Sequence, residues 1–331
     1  MRAVDRLYRT AVCGCLLLAL GCTDLSAPDG ADASDMPSLE PAAILVQPAS
    51  VTMQAGQSRQ LQAQVNDASG QPIAGARLSY SLAGGCCVTV SATGLVSATG
   101  PVGEASVRVA SGRRANTVPV VVSAGRAQRL VWPDGNAVRM PAGAPPRNFT
   151  ARVLDWAGNG VPATSVAFEL DSRPLSLVAS GPDGSTAVEI AKLETVGRHT
   201  LSAAVPDLPA IAMQSVEIQV DAGPPAAMSV VGAVPMDVEA GANISGPLVM
   251  VRDGFGNPVA QAVLQLEIPA AVGSLQRTEI VTGEDGMARL AWIAGRAGAR
   301  GALKVTLAGD NGGAVAPLLV HLQVARAAKK R

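Results

Sequence analysis

Apolar residues recur at alternate positions in short runs along almost the whole chain. Leu61, Ala63 and Val65 interleave with Gln60, Gln62 and Gln64. Successive side chains of a strand point to opposite faces, so such a run has one dry side and one wet side. The same two-residue period marks Ile44 to Val46, the stretch around Tyr80, Val88 to Val90, Leu95 to Ala98, Ala105 to Val109 and Val118 to Val122. Turn formers such as Asp67-Ala68-Ser69-Gly70 and Thr93-Gly94 separate the runs. Seven short strands with turns between them predict a sandwich of the immunoglobulin type. Beyond residue 21 no long segment carries helical periodicity.

The unit occurs three times. Asp67-Ala68-Ser69-Gly70-Gln71-Pro72-Ile73 returns as Asp155-Trp156-Ala157-Gly158-Asn159-Gly160-Val161 and again as Asp253-Gly254-Phe255-Gly256-Asn257-Pro258-Val259. The same two offsets carry Leu78, Tyr80 and Leu82 onto Val166, Phe168 and Leu170, then onto Leu264, Leu266 and Ile268. Each trio is expected to be one buried strand face. Gly94, Gly184 and Gly286 each sit in a turn before a further strand. The repeat divides the chain into sandwiches at 44–124, 125–222 and 223–325, followed by a basic tail, 326–331. Ser123-Ala124-Gly125-Arg126 and Asp221-Ala222-Gly223-Pro224-Pro225 are short joints, and the proline pair stiffens the second. The expectation is a rod of limited flexibility.

Residues 1–21 have the parts of a secretory signal: Arg2, Arg6 and Arg9, then an apolar stretch from Ala11 to Leu20 that is too short to span a bilayer. Leu18-Ala19-Leu20-Gly21-Cys22 resembles the bacterial lipobox. That resemblance implies cleavage before Cys22, a diacylglycerol on its sulfur and an acylated amino group. Thr23, where many inner-membrane lipoproteins carry Asp, implies the outer membrane. Stable anchoring takes about two lipid signals, and three acyl chains exceed that. Residues 22–43 read as an acidic tether, with Asp24, Asp29, Asp32, Asp35 and Glu40 and no Lys or Arg.

Charge and composition narrow the function. The 26 basic and 26 acidic residues cancel, and loss of three Arg and one Asp with the signal leaves a net charge of −2. A protein so balanced has no electrostatic footprint for nucleic acid. Beyond the signal the aromatics are Tyr80, Trp132, Phe149, Trp156, Phe168, Phe255 and Trp292, too few for a stacking platform in each sandwich. His199 and His321 fall within strand patterns, and without a third histidine or a cysteine cluster no zinc site is supported. No nucleophile elbow, P-loop or dinucleotide fingerprint occurs. Asp155 with Asn159, and Asp253 with Asn257, are too few oxygens for calcium and suit a turn. No catalytic residue, cofactor, metal or small-molecule substrate is therefore assigned.

Cys86-Cys87 is the unusual local feature. Adjacent strand residues point apart, so a vicinal disulfide needs a turn, and Gly84-Gly85 supply the freedom for one. An intermolecular bridge, or one core cysteine beside an exposed one, also fits the residues.

The stretch from Gln47-Pro48 through Ala55-Gly56-Gln57 to Val88-Thr89-Val90-Ser91-Ala92-Thr93-Gly94-Leu95-Val96 resembles the bacterial Ig-like group 2 domain. The second and third units, with Asp155 to Pro162 and Asp183-Gly184, and Asp253 to Val259 and Asp285-Gly286, are similar to the group 1, invasin/intimin-type domain. The resemblance implies an all-β chain of three tandem immunoglobulin-like β-sandwich domains, working outside the cytoplasm as spacer, presenter or adhesion module. A specific binder of an envelope protein or host-surface ligand is the alternative. The membrane is the partner that Cys22 implies.

Overall fold

The computed structural model describes residues 40–309 and 315–326. Cys22, most of the tether and the basic tail from 327 onward lie outside the described residues. Within them every regular element is a strand.

The first sandwich contains β1 (Ala43–Gln47), β2 (Val51–Gln54), β3 (Ser58–Gln60), β4 (Gln62–Asn66), β5 (Ser79–Gly85), β6 (Val88–Val90), β7 (Leu95–Ala98), β8 (Gly103–Ser111) and β9 (Arg114–Ser123). The second contains β10 (Arg129–Val131), β11 (Ala137–Pro141), β12 (Arg147–Leu154), β13 (Ser165–Leu170), β14 (Arg173–Ala179), β15 (Ser185–Ile190), β16 (Gly197–Ala204) and β17 (Gln214–Asp221). The third contains β18 (Pro225–Val231), β19 (Asn243–Asp253), β20 (Val263–Glu267), β21 (Gly273–Ser274), β22 (Glu279–Val281), β23 (Met287–Ala294), β24 (Arg300–Leu307) and β25 (Leu318–Gln323).

In the first sandwich the sheet β2-β9-β8-β5 packs on β3-β7-β6 and the β1-β4 pair. The second pairs β10-β12-β15 with β11-β17-β16-β13-β14, and the third pairs β18-β19-β23-β21 with β22-β20-β24-β25. One core fills each unit. Val96, Val107, Val109 and Val120 are sealed in the first; Val166, Phe168, Leu201 and Ile218 in the second; Leu264, Leu290, Leu303 and Val305 in the third. Each such side chain contributes about 1.5–3 kcal/mol by leaving water. The protein is an all-β array of three immunoglobulin-like sandwiches.

Two strands were not among the expected runs, although β2 itself alternates, with Val51 and Met53 buried and Thr52 and Gln54 exposed. β2 and β3 lie between the first two expected runs, and β2 runs parallel to β9, with Val51 opposite Val120. The second sandwich repeats this, with Ala137 of β11 opposite Glu217 of β17. The third keeps it as one parallel bridge, Val238 to Val324. Each sandwich therefore ties the start of its chain to its end across one sheet. The pairing partners, Val51 with Val120, Ala137 with Glu217 and Val238 with Val324, lie far beyond the reach of local periodicity.

The buried-face expectation holds for Val166 and Phe168, and for Leu264 and Leu266, while the third member of each trio, Leu170 and Ile268, is half-buried against the core. The first unit departs from it: Leu78 and Tyr80 are half-buried and Leu82 is 44% exposed. The cause is local. β5 and β8 slip register between Leu82 and Gly84, and Tyr80 lies on the Thr93-Gly94 turn, where a Cβ on Gly94 would stand 2.7 Å from its ring. Leu82 still pairs with the buried Val107, on the edge strand of its sheet and just before the slip, and is exposed there rather than turned to the other face.

Candidate functional site: two matching joints and a cysteine corner

The repeated Asp turns sit where one sandwich meets the next. Asp155 follows β12. One carboxylate oxygen accepts the N–H groups of Ala157 and Asn159, each at 2.9 Å. The other accepts the Asn159 side-chain amide at 2.8 Å and the backbone N–H of Gly125, in the joint itself, at 2.8 Å. Asp155 is wholly buried. Burial alone would raise its pKa, but the hydrogen bonds from Asn159, Gly125 and Ala157 outweigh burial and hold the carboxyl below its ordinary 3.8. Asn159 then crosses the joint. Its amide donates to the Gly100 carbonyl at 2.8 Å, and its carbonyl accepts the Val102 N–H at 3.2 Å.

The second joint repeats the first bond for bond. Asp253 accepts Phe255 and Asn257 N–H on one oxygen, and the Asn257 amide and Gly223 N–H on the other, all at 2.9 Å. Burial raises the Asp253 carboxyl, and the bonds from Asn257, Gly223 and Phe255 again bring it below 3.8. Asn257 donates to Glu194 O at 2.7 Å and accepts from Val196 N at 3.3 Å. All four carboxylate oxygens are thus occupied by N–H donors, which is the chemistry of a turn.

Each turn adds one aromatic ring, at different positions. Trp156 lies over Gly56 and Gly100, where an added Cβ would stand 3.4 Å from its ring. Phe255 lies on Gly143, where a Cβ would come within 2.3 Å, and the Lys192 ammonium sits 4.4 Å from the ring centre. The surface that receives the turn is an Ala-Gly corner, Ala55-Gly56 in the first sandwich and Ala142-Gly143 in the second, with both alanines buried. The third has the same pair, Ala240-Gly241, exposed. Sequence reading identified the turns and not their seats. Ala-Gly recurs too often along the chain to have marked the seats by itself. Asp67 differs in kind: it accepts Ser69 and Gln71 N–H and the Ser69 hydroxyl on one oxygen, and no joint residue bonds to it.

His199 lies on β16 and His321 on β25. His199 contacts Asp171 through Nδ1 at 2.7 Å and the Thr195 carbonyl through Nε2 at 3.1 Å. Burial would lower its pKa, but the Asp171 and Thr195 bonds prevail and raise it above 6.5. Half of a Ser-His-Asp arrangement is present, yet a carbonyl occupies the place of the serine. Among the described residues no three His, Cys, Asp or Glu side chains cluster to hold a metal ion.

Cys86 and Cys87 occupy the bend between β5 and β6, Cys86 exposed and Cys87 buried, both as free thiols. The backbone is irregular, with φ of 90° at Gly85 and 68° at Cys87.

The fold and joints define a class: tandem immunoglobulin-like arrays whose units are locked end to end. No protein-family model and no curated protein sequence matches the chain. Solved structures do. The Escherichia coli adhesin FdeC is similar over 85% of this chain and 96% of its own, at 19% identity and a TM-score of 0.53. Invasin, a bacterial integrin-binding protein, aligns over 85% of this chain and 59% of its own at 14% identity and a TM-score of 0.45, and titin domains I67–I69 over 84% and 96% at 13% and 0.35. At these identities the likeness is one of fold.

Proposed function

We propose that this chain is a non-catalytic, lipid-anchored protein of the bacterial outer envelope, serving as a spacer that presents its distal sandwich for adhesion. The observation that carries the reading is the duplicated joint. The same buried carboxylate, joint N–H and bridging asparagine recur at both junctions, and a stiff connection is what a spacer needs and an enzyme scaffold does not. The likeness in fold to FdeC, an adhesin, and to invasin, an integrin-binding protein, supports an adhesive role and a protein or host-surface ligand. The anchor would be Cys22, followed by the tether 22–43.

Protease shaving of intact cells tests this, comparing the native chain with Cys22→Ser. Cleavage on intact cells together with release of the variant supports a surface lipoprotein. Protection until the outer membrane is opened sinks surface adhesion and leaves a periplasm-facing protein. Retention of the variant in the membrane sinks the anchor.

A second reading, a specific binder of an envelope protein, is favoured by one feature. β14 is the edge of its sheet, with Leu175 and Leu177 44% and 65% exposed. An exposed apolar edge can accept a partner strand. Pulldown with and without a charged Leu177→Lys edge tests it.

A further inference from the structure

We propose that Cys86 and Cys87 close on each other as a vicinal disulfide, making the corner between β5 and β6 a site of thiol–disulfide exchange with a small-molecule or protein disulfide of the exported compartment. The compartment rests on the reading of the chain as exported; the pairing itself rests on geometry.

On a regular strand the two sulfurs would point to opposite faces. Here they do not. A Cβ grown on Gly103 would stand 2.7 Å from Cys86 Sγ and 2.8 Å from Cys87 Sγ. Both sulfurs therefore converge on one spot over Gly103, and their separation cannot exceed those two distances added. Three backbone features bring them there. β5 bulges after Leu82, Gly85 and Cys87 both have positive φ, and the bend is pinned by Cys86 N–H to Glu104 O at 3.3 Å and Thr99 N–H to Cys87 O at 2.9 Å. Positive φ at a residue other than glycine is sparsely populated and calls for a reason. Gly85 is itself forced, since a Cβ there would lie 2.2 Å from the Glu104 carbonyl oxygen. Gly103 is the matching vacancy, because any larger residue would fill the space the sulfurs share.

The exchange balances without other cofactors. Exposed Cys86 attacks the external disulfide as a thiolate and releases one external thiol. Cys87 gives up its proton, attacks the Cys86 sulfur of the mixed disulfide and releases the second. Two protein thiols become one disulfide while one external disulfide becomes two thiols. Cys86 is the attacking group because it is the exposed one, while burial first, then the hydrogen bond and charge of Cys86, push the Cys87 thiol up to about 11.

The test uses the purified full chain equilibrated in mixtures of glutathione and glutathione disulfide, then alkylated and digested with trypsin. The peptide 78–108 contains both cysteines. The expected result is a peptide two hydrogens lighter that takes up no alkyl group until reduced and two afterwards. Two alkyl groups without reduction, a lasting glutathione adduct, or a cross-link between two copies would each overturn the proposal. Gly103→Ala should raise the glutathione disulfide needed for half-oxidation about tenfold, because free thiols can rotate away from the added methyl and a closed ring cannot. Should that variant misfold, Cys86→Ser serves: it should leave one thiol at Cys87 that alkylates slowly. Trapping the thiols in living cells separates the two premises. A peptide oxidised in glutathione but reduced in cells refutes export while the pairing stands.

Discussion

Asp155 and Asp67 occupy the same place in the repeat, yet their removal should cost different amounts. Asp155→Ala strips the acceptor from four N–H donors, and one of them, on Gly125, belongs to the joint. A buried donor left without a partner costs about 1–3 kcal/mol. Two donors can turn toward water at the turn's outer side, so the net loss for Asp155→Ala is about 3 kcal/mol. Asp67 serves its own turn at the surface, so Asp67→Ala should cost clearly less than Asp155→Ala. The asparagine variants are the sharper pair. Asp155→Asn turns an NH2 group toward the Gly125 N–H and the Asn159 amide, donor against donor, and should lose about 2 kcal/mol. Asp67→Asn keeps the one oxygen that matters and points its NH2 away from its donors, so it should be close to neutral. Urea unfolding measures all four: in a Trp292→Phe background, emission from Trp132 and Trp156 reports the second sandwich for the Asp155 pair, and the near-ultraviolet signal of Tyr80 reports the first for the Asp67 pair. Equal losses at the two sites within about 0.5 kcal/mol, or a neutral Asp155→Asn, would refute the joint bond as a source of stability.

Gly143→Ala places a methyl where the Phe255 ring lies and should loosen the second joint without unfolding either sandwich; a larger radius of gyration spread in small-angle scattering checks it, and an unchanged curve counts against the seat. Phe168→Ala empties a wholly buried position beside Trp132, whose ring centre is 6.0 Å away, and should cost about 3–5 kcal/mol with a shifted Trp132 emission; a loss below about 1 kcal/mol would contradict the described core. The His199–Asp171 pair gives a pH signature. Asp171 is raised by burial but lowered further by the Thr200 and His199 bonds, to below 3.8, so its contribution is present above 3.8 and fades as pH falls through the folded value. His199 is raised above 6.5, so its contribution is full below 6.5 and fades as pH rises through the folded value. The native advantage over His199→Gln should therefore be greatest between pH 3.8 and 6.5 and shrink in alkali; both groups are partly solvated, so it is at most about 1 kcal/mol, and a difference flat from pH 5 to 9 would dismiss the pair.

Much was legible before any coordinates. Alternation at Leu61, Ala63 and Val65 marked a strand because a half-buried sheet face imposes a period of two on its own residues. The recurrence of Asp67, Asp155 and Asp253 with the strand trios counted the sandwiches, since a turn and a face must keep their spacing if the unit is to close.

Other features depended on residues far apart in the chain. The four residues of β2 alternate and could have been read as a strand, but its parallel pairing with β9 could not, because β9 is supplied by the far end of the sandwich. Leu82 was expected to be buried, and its place on the edge strand β5, where the regular pairing with β8 ends, leaves it 44% exposed. Above all, Asp155 and Asn159 spelled a turn in the sequence, and nothing in their own stretch says that Gly125, Gly100 and Val102 come to meet them. The sequence by itself determined most of the strands and their dry faces, which follow from neighbours two residues apart, and the number of sandwiches, which follows from one unit returning at Asp67, Asp155 and Asp253. Only the tertiary structure decided that the turns are joints and that two adjacent sulfurs face one glycine, because those contacts exist only once distant backbone segments are folded against one another.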